Sequence, residues 1–212
     1  MVDTGEPTSA RDAHDAMARH AWADALAHFG AVDAAGTLSA ADLIAYARAA
    51  TWCTRPELAL ELLGRASAAL TAQGDRGAAA DVALSLAFEH RHRRELATSM
   101  GWLRKAERVL ADLPEHRAHG HLAWARSMEA QGKGDLDAAL EQANRALAIG
   151  ERTEDRDGQA LALVRKGRVL VKQGQVADGM AHVYEAMVAA VSGELSLQVT
   201  GQIYCATIDA CH

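Results

Sequence analysis

Aromatic side chains are scarce in this chain of 212 residues, at 4% against an apolar share of one half. That excludes a core built on stacked rings and leaves Ala, Leu and Val to fill the interior. Such residues suit closely packed helices, because alanine is the best helix former and small side chains let helix backbones approach. Runs of Val, Ile, Thr and aromatics alternating with period two are missing, which excludes a sheet protein. Cysteine is limited to Cys53, Cys205 and Cys211, an odd set placed in helical patterns. Reduced thiols in a cytoplasmic protein are expected rather than a disulfide framework, with Cys205 and Cys211 as small buried packing residues. No basic segment leads into an apolar one at the start, and no apolar run is long enough to cross a bilayer. The net charge of −6 excludes a surface given over to nucleic acid.

Catalytic constellations are missing too. No Ser-His-Asp spacing, nucleophile elbow or paired-carboxylate context stands out, and no Gly-x-x-x-x-Gly-Lys-Ser/Thr loop is present. The expectation is a protein with no enzymatic activity and no cofactor.

What is present is a period. The stretch from Gly167 to Ala190 reads as a helix, a turn at Gln173-Gly174 and a second helix, with Gly179, Val183 and Ala186 in three slots of the second. Stepping back by forty residues, the same slots hold Ala139, Ala143 and Ala146, then Ser99, Leu103 and Ala106, then Ala59, Leu63 and Ala66. A period in this range marks stacked helical repeats, each unable to bury its apolar face alone.

The punctuation agrees. Residues 1–8 lack any apolar period and are expected to be a mobile terminus. A repeat domain is expected over 9–212, beginning with a short helix from about Ser9 and another over Trp22–Val32. Ser39, with Asp42 three residues on, opens the next helix, which runs to Trp52. Thr54-Arg55-Pro56-Glu57 reads as a further start signal, with Thr54 as cap, and that helix ends near Gly74. Paired helices follow at about 78–92 and 95–112, 116–131 and 136–150, 159–173 and 176–191, and a last helix starts near Leu195. That makes five helix pairs plus one.

The segment GRVLVKQGQVADGMAHVYEAM resembles a tetratricopeptide repeat, with Gly167, Gly174, Gly179 and Ala186 in its characteristic slots. The forty-residue spacing is longer than the usual thirty-four and resembles the repeats of MalT-like and LuxR-type bacterial transcriptional regulators. The tail GELSLQVTGQIYCATIDAC resembles a segment of actinobacterial LuxR-type regulators. The resemblance implies an all-α, right-handed superhelical solenoid that binds a protein or peptide on its concave face. It also implies that any DNA-binding or nucleotide-binding role belongs to modules this chain lacks, since no helix-turn-helix of that type is present.

In such arrays the first helix of each pair lines the concave face. Arg165, Arg168 and Lys172, spaced three and four apart, form a basic stripe there. By repeat position they resemble a lining that grips acidic side chains or a C-terminal carboxylate. Arg126 and Arg91 extend the stripe, and Tyr46 beside Arg48 supplies an aromatic end, while Trp52 packs on the first repeat. The bland alternative is a solvated charged face. Another reading is a sensor enclosing a small metabolite between repeats.

Other clusters have structural explanations. His116 and His119 share a helix face suited to a metal, yet lack further ligands, so no metal is expected. The basic run from His90 to Arg94 falls at a helix C-terminus, where cations complement the helix dipole. The last helix is apolar on more than one side, from Leu195 to Ala210. It is expected either to continue a longer array or to dock on another subunit.

Overall fold

The computed structural model describes residues 9–36 and 38–210, with the side chains of 209 and 210 left aside. The expected mobile terminus over 1–8 lies outside the described residues, as do Cys211 and His212. Among the described residues there are eleven α-helices and no strand. They are α1 (Ala10–Ala18), α2 (Trp22–Ala34), α3 (Ala40–Trp52), α4 (Pro56–Gln73), α5 (Arg76–His92) and α6 (Leu96–Leu110). Then come α7 (Arg117–Gly132), α8 (Leu136–Arg152), α9 (Arg156–Lys172), α10 (Val176–Val191) and α11 (Leu197–Ala210). Five pairs and a final helix are therefore present in the expected order. No helix among the described residues is long and apolar enough to cross a membrane.

The chain divides into two compact units, Met1–Val109 and Leu110–His212. In the first, Phe29, Leu43, Tyr46, Leu62, Leu70, Val82 and Leu86 build the core among alanines. In the second, α9, α10 and α11 meet through Ala160, Val164, Ala186, Ala190, Val199 and Ile203, while Ala123, Ala146 and Ala162 join α7, α8 and α9. Small residues occupy the helix crossings, as the scarcity of aromatics requires.

Each pair crosses at one slot per helix, and the chemistry of that slot varies. Ser99 Oγ of α6 donates to the Ala87 carbonyl of α5 at 2.8 Å, and Ser127 Oγ of α7 donates to the Ala139 carbonyl of α8 at 2.6 Å. In the next pair Gly167 of α9 faces Gly179 of α10 with no side chain between them. Residues 87, 127 and 167 are thus one register, and 99, 139 and 179 its partner. A buried serine in either position satisfies its hydroxyl on the opposing carbonyl instead of leaving it orphaned.

The turns inside the pairs are equally periodic. Thr54, Arg94, Gly134 and Gly174 all have positive φ, at 55°, 62°, 83° and 86°. A left-handed residue reverses the chain after the first helix, and glycine does so without steric cost. This corrects the expected cap at Thr54, whose hydroxyl donates to the Cys53 carbonyl at 2.8 Å. Arg55 precedes the helix without a side-chain cap, and Pro56 occupies the first turn.

Three of the caps that form are aspartates, and serine or histidine serves elsewhere. Ser39 and Asp42 make the expected capping box, and Asp75, Asp135 and Asp155 each accept a backbone N–H of the first turn. Asp155 thereby starts α9 at Arg156, ahead of the expected start at 159.

Candidate binding face

The basic stripe lies on α9 in the second unit. Arg165 sits on the side turned toward α7, and Arg168 and Lys172 follow it at steps of three and four along the same helix. Burial falls along that line: Arg165 is 6% exposed, Arg168 is half-buried and Lys172 is exposed. Arg126 is exposed on α7.

Arg165 is spent inside the protein. Its Nε donates to Ser127 Oγ at 2.9 Å, and one terminal nitrogen donates to the Ser127 carbonyl at 3.0 Å and to Gln131 Oε1 at 2.7 Å. Ser127 is the α7 crossing residue, so this arginine ties one pair to the crossing of the pair before it. The expectation that Arg165 grips a partner is therefore corrected: the guanidinium points into the α7–α9 seam. Tyr46 is corrected likewise. It is buried in the core of the first unit, stacked on Phe29 at 5.6 Å between ring centroids, and burial pushes its phenol pKa up. Arg91 is half-buried in the last turn of α5, in the first unit. Trp52 stacks on Trp22 of α2 at 5.4 Å, the packing on the first repeat that its position suggested.

The seam also holds Trp124, which sequence reasoning passed over. Its Nε1 donates to the Leu161 carbonyl of α9 at 3.2 Å. Stepping back forty residues from Val164 would have found it.

At the N-terminal end of α9, His121 of α7 meets Asp155 at 2.9 Å. Burial would raise the Asp155 carboxyl, but hydrogen bonds from His121 and from the Gly158 N–H outweigh it and hold its pKa below the ordinary aspartate value. Beside it lies an open polar depression lined by Arg117, Arg156, Asp157 and Glu194. A second depression at the opposite turns is lined by Asp137, Gln173 and Gln175, with Gln173 donating to Asp137 at 2.8 Å.

The histidine and arginine clusters have local duties. His116 accepts the Ala118 N–H at 3.2 Å, and His119 lies within hydrogen-bond distance of both the His116 backbone and the Leu110 carbonyl. His90 meets Glu95 at 2.6 Å, and Arg93 bridges Glu95 and Glu57. Among the described residues no group of three metal-ligating side chains converges. Cys53 is half-buried, whereas Cys205 is exposed on α11, which corrects its expected burial.

No family model and no curated protein matches the chain. Solved structures do. A Podosopora anserina putative kinesin light chain described by its TPR-like repeats has a TM-score of 0.56 at 17% identity, over 91% of this chain and 100% of that one. The apo quorum sensor NprR from B. thuringiensis has a TM-score of 0.66 at 11% identity, over 90% and 54% of the two chains. The Rap conjugation gene regulator of plasmid pLS20, solved with the Phr* peptide, has a TM-score of 0.65 at 11% identity, over 91% and 60%. These likenesses identify the fold as an all-α, tetratricopeptide-like solenoid of antiparallel helix pairs.

Proposed function

We propose that the chain is an interaction module of a bacterial LuxR-type regulator, holding an acidic segment of a protein or peptide along the α7–α9 seam. The observation that carries this reading is the gradient of burial down the stripe. Arg165 is anchored within the protein, Arg168 is half-buried, and Lys172 on the same helix and Arg126 on α7 are exposed. Arginine and lysine offer several donors and a fixed charge to carboxylates. A quorum sensor and a conjugation gene regulator of the same fold, the latter in complex with a peptide, support the reading. The module acts without catalysis, in the cytoplasm, and any DNA contact is made by another module.

The test is titration of a library of acidic peptides against the native protein and against an Arg126→Glu, Arg168→Glu, Lys172→Glu variant that keeps Arg165. Equal helicity and melting temperature are required first. Loss of about tenfold or more in affinity, with steep salt dependence in the native protein, is the expected result. Unchanged affinity in the variant would remove the seam as the binding face.

A further inference from the structure

The solvent side of α10 carries an apolar line that the other second helices lack. Ala177, Ala181, Tyr184, Val188 and Val191 follow one another at spacings of four and three, and all five are exposed. Tyr184 is 54% exposed and Val188 and Val191 are each 64% exposed. At the three larger positions α8 has Asn144, Ala148 and Glu151, α6 ends in Arg104, Arg108 and then Ala111, and α4 has Gly64, Ala68 and Thr71. The repeat itself therefore does not call for apolar residues there. Alternating steps of four and three put side chains on one seam of a helix, the spacing with which two helices interlock.

The borders of the line differ in chemistry. Asp178 and Glu185, seven apart, run along one side, and Met180 and Met187, seven apart and half-buried, run along the other. No lysine or arginine occurs in α10. A second copy of α10 laid antiparallel would set acidic border against acidic border, and one laid parallel would set acids against methionines. Neither arrangement supplies a lysine or arginine, since the one basic side chain of α10, His182, already lies 3.5 Å from Glu185 of its own helix, and the antiparallel arrangement sets like charges in repulsion.

We propose that α10 is a docking surface for an amphipathic helix of another protein, one whose apolar 4–3 seam is bordered by lysine or arginine. Tyr184 is the central anchor, Val188 and Val191 extend the contact, and Asp178 and Glu185 select the basic border. Met180 and Met187 offer adaptable apolar contact on the far side. This surface is on a second helix, whereas the basic seam is on first helices, so either can fail without the other.

Two synthetic peptides test it, each of about three heptads with leucine along the 4–3 seam, one bordered by lysine and the other by glutamate. Binding is followed by fluorescence anisotropy on the full chain, with helicity checked for every variant. The lysine-bordered peptide is expected to bind, with affinity weakened by about tenfold or more in Val188→Glu and in the milder Tyr184→Ser. An Asp178→Lys, Glu185→Lys variant is expected to reverse the preference between the peptides. Absence of binding, equal binding of both peptides, or a preference unmoved by the charge reversal would overturn the proposal. So would a concentration-dependent dimer dissolved by Val188→Glu, which would assign the seam to a second copy.

Discussion

Gly167 of α9 and Gly179 of α10 cross with their backbones in direct contact. A methyl carbon placed on Gly179 would lie 2.6 Å from the Gly167 carbonyl oxygen, and one on Gly167 would lie closer still to that of Gly179. Both obstacles are backbone, which cannot rotate away. Gly167→Ala is expected to cost about 1–3 kcal/mol through forced separation of the helices. Gly64 and Gly101, in α4 and α6, face open space, and their replacement by alanine is expected to gain up to about 1 kcal/mol from helix propensity. Urea unfolding of the set gives opposite signs if the crossing is what demands glycine at 167.

The turn register makes a second comparison. Thr54 and Arg94 hold the same left-handed conformation as Gly134 and Gly174, yet carry a Cβ. Thr54→Gly and Arg94→Gly are each expected to stabilise the first unit by up to about 1 kcal/mol. Gly134→Ala and Gly174→Ala should each destabilise by about 1 kcal/mol. The check is the shift in midpoint denaturant concentration at unchanged slope.

Arg165 tests the anchor between pairs. Replacing it with methionine removes three donated hydrogen bonds and strands acceptors at buried Ser127 and half-buried Gln131, an expected loss of about 2–3 kcal/mol. Lysine at 165 should recover only part, since one ammonium cannot reproduce the planar fork. Lys172→Ala, on the exposed end of the same stripe, should leave stability within about 0.5 kcal/mol. A similar loss for both would mean that burial along the stripe does not separate anchor from surface.

Acid should loosen the α7–α9 junction. Asp155 has a folded-state pKa below its unfolded value of 3.8, so its contribution is fully present above that value and is lost as pH falls from there through the folded pKa. Asp155→Asn keeps an acceptor for the Gly158 N–H but has no charge to lose. Unfolding free energy measured from about pH 5 downward should therefore fall less steeply in this variant than in the native protein. Equal slopes would show that other carboxylates account for the acid loss.

Much of the fold was legible because its determinants are local and recur. A forty-residue step through the chain finds the small residues at each crossing, and glycine or a polar residue at each turn. The apolar period is the helix itself, so pair order followed directly. Boundaries slipped where a cap outranked apolarity: Asp155 begins α9 ahead of its first core residue, and Thr54 serves the turn before α4 rather than its cap. Pro56 of the same start signal does occupy the first turn of α4, because its fixed φ and missing N–H suit that position.

Side-chain roles were less legible. Spacing put Arg165, Arg168 and Lys172 on one stripe, but spacing carries no information about depth. Arg165 is buried because Ser127 and Gln131, on a helix one pair earlier, offer acceptors to its guanidinium. Tyr46 is interior because Phe29 meets its ring from another helix. The sequence by itself determined that this is a repeated helix pair with small residues at each crossing, since turn chemistry, capping and periodicity act within a few residues. Only the tertiary structure decided which cations, rings and apolar lines are left facing solvent, because each depends on what another helix presents, from 17 residues away for Tyr46 and Phe29 to 38 for Arg165 and Ser127.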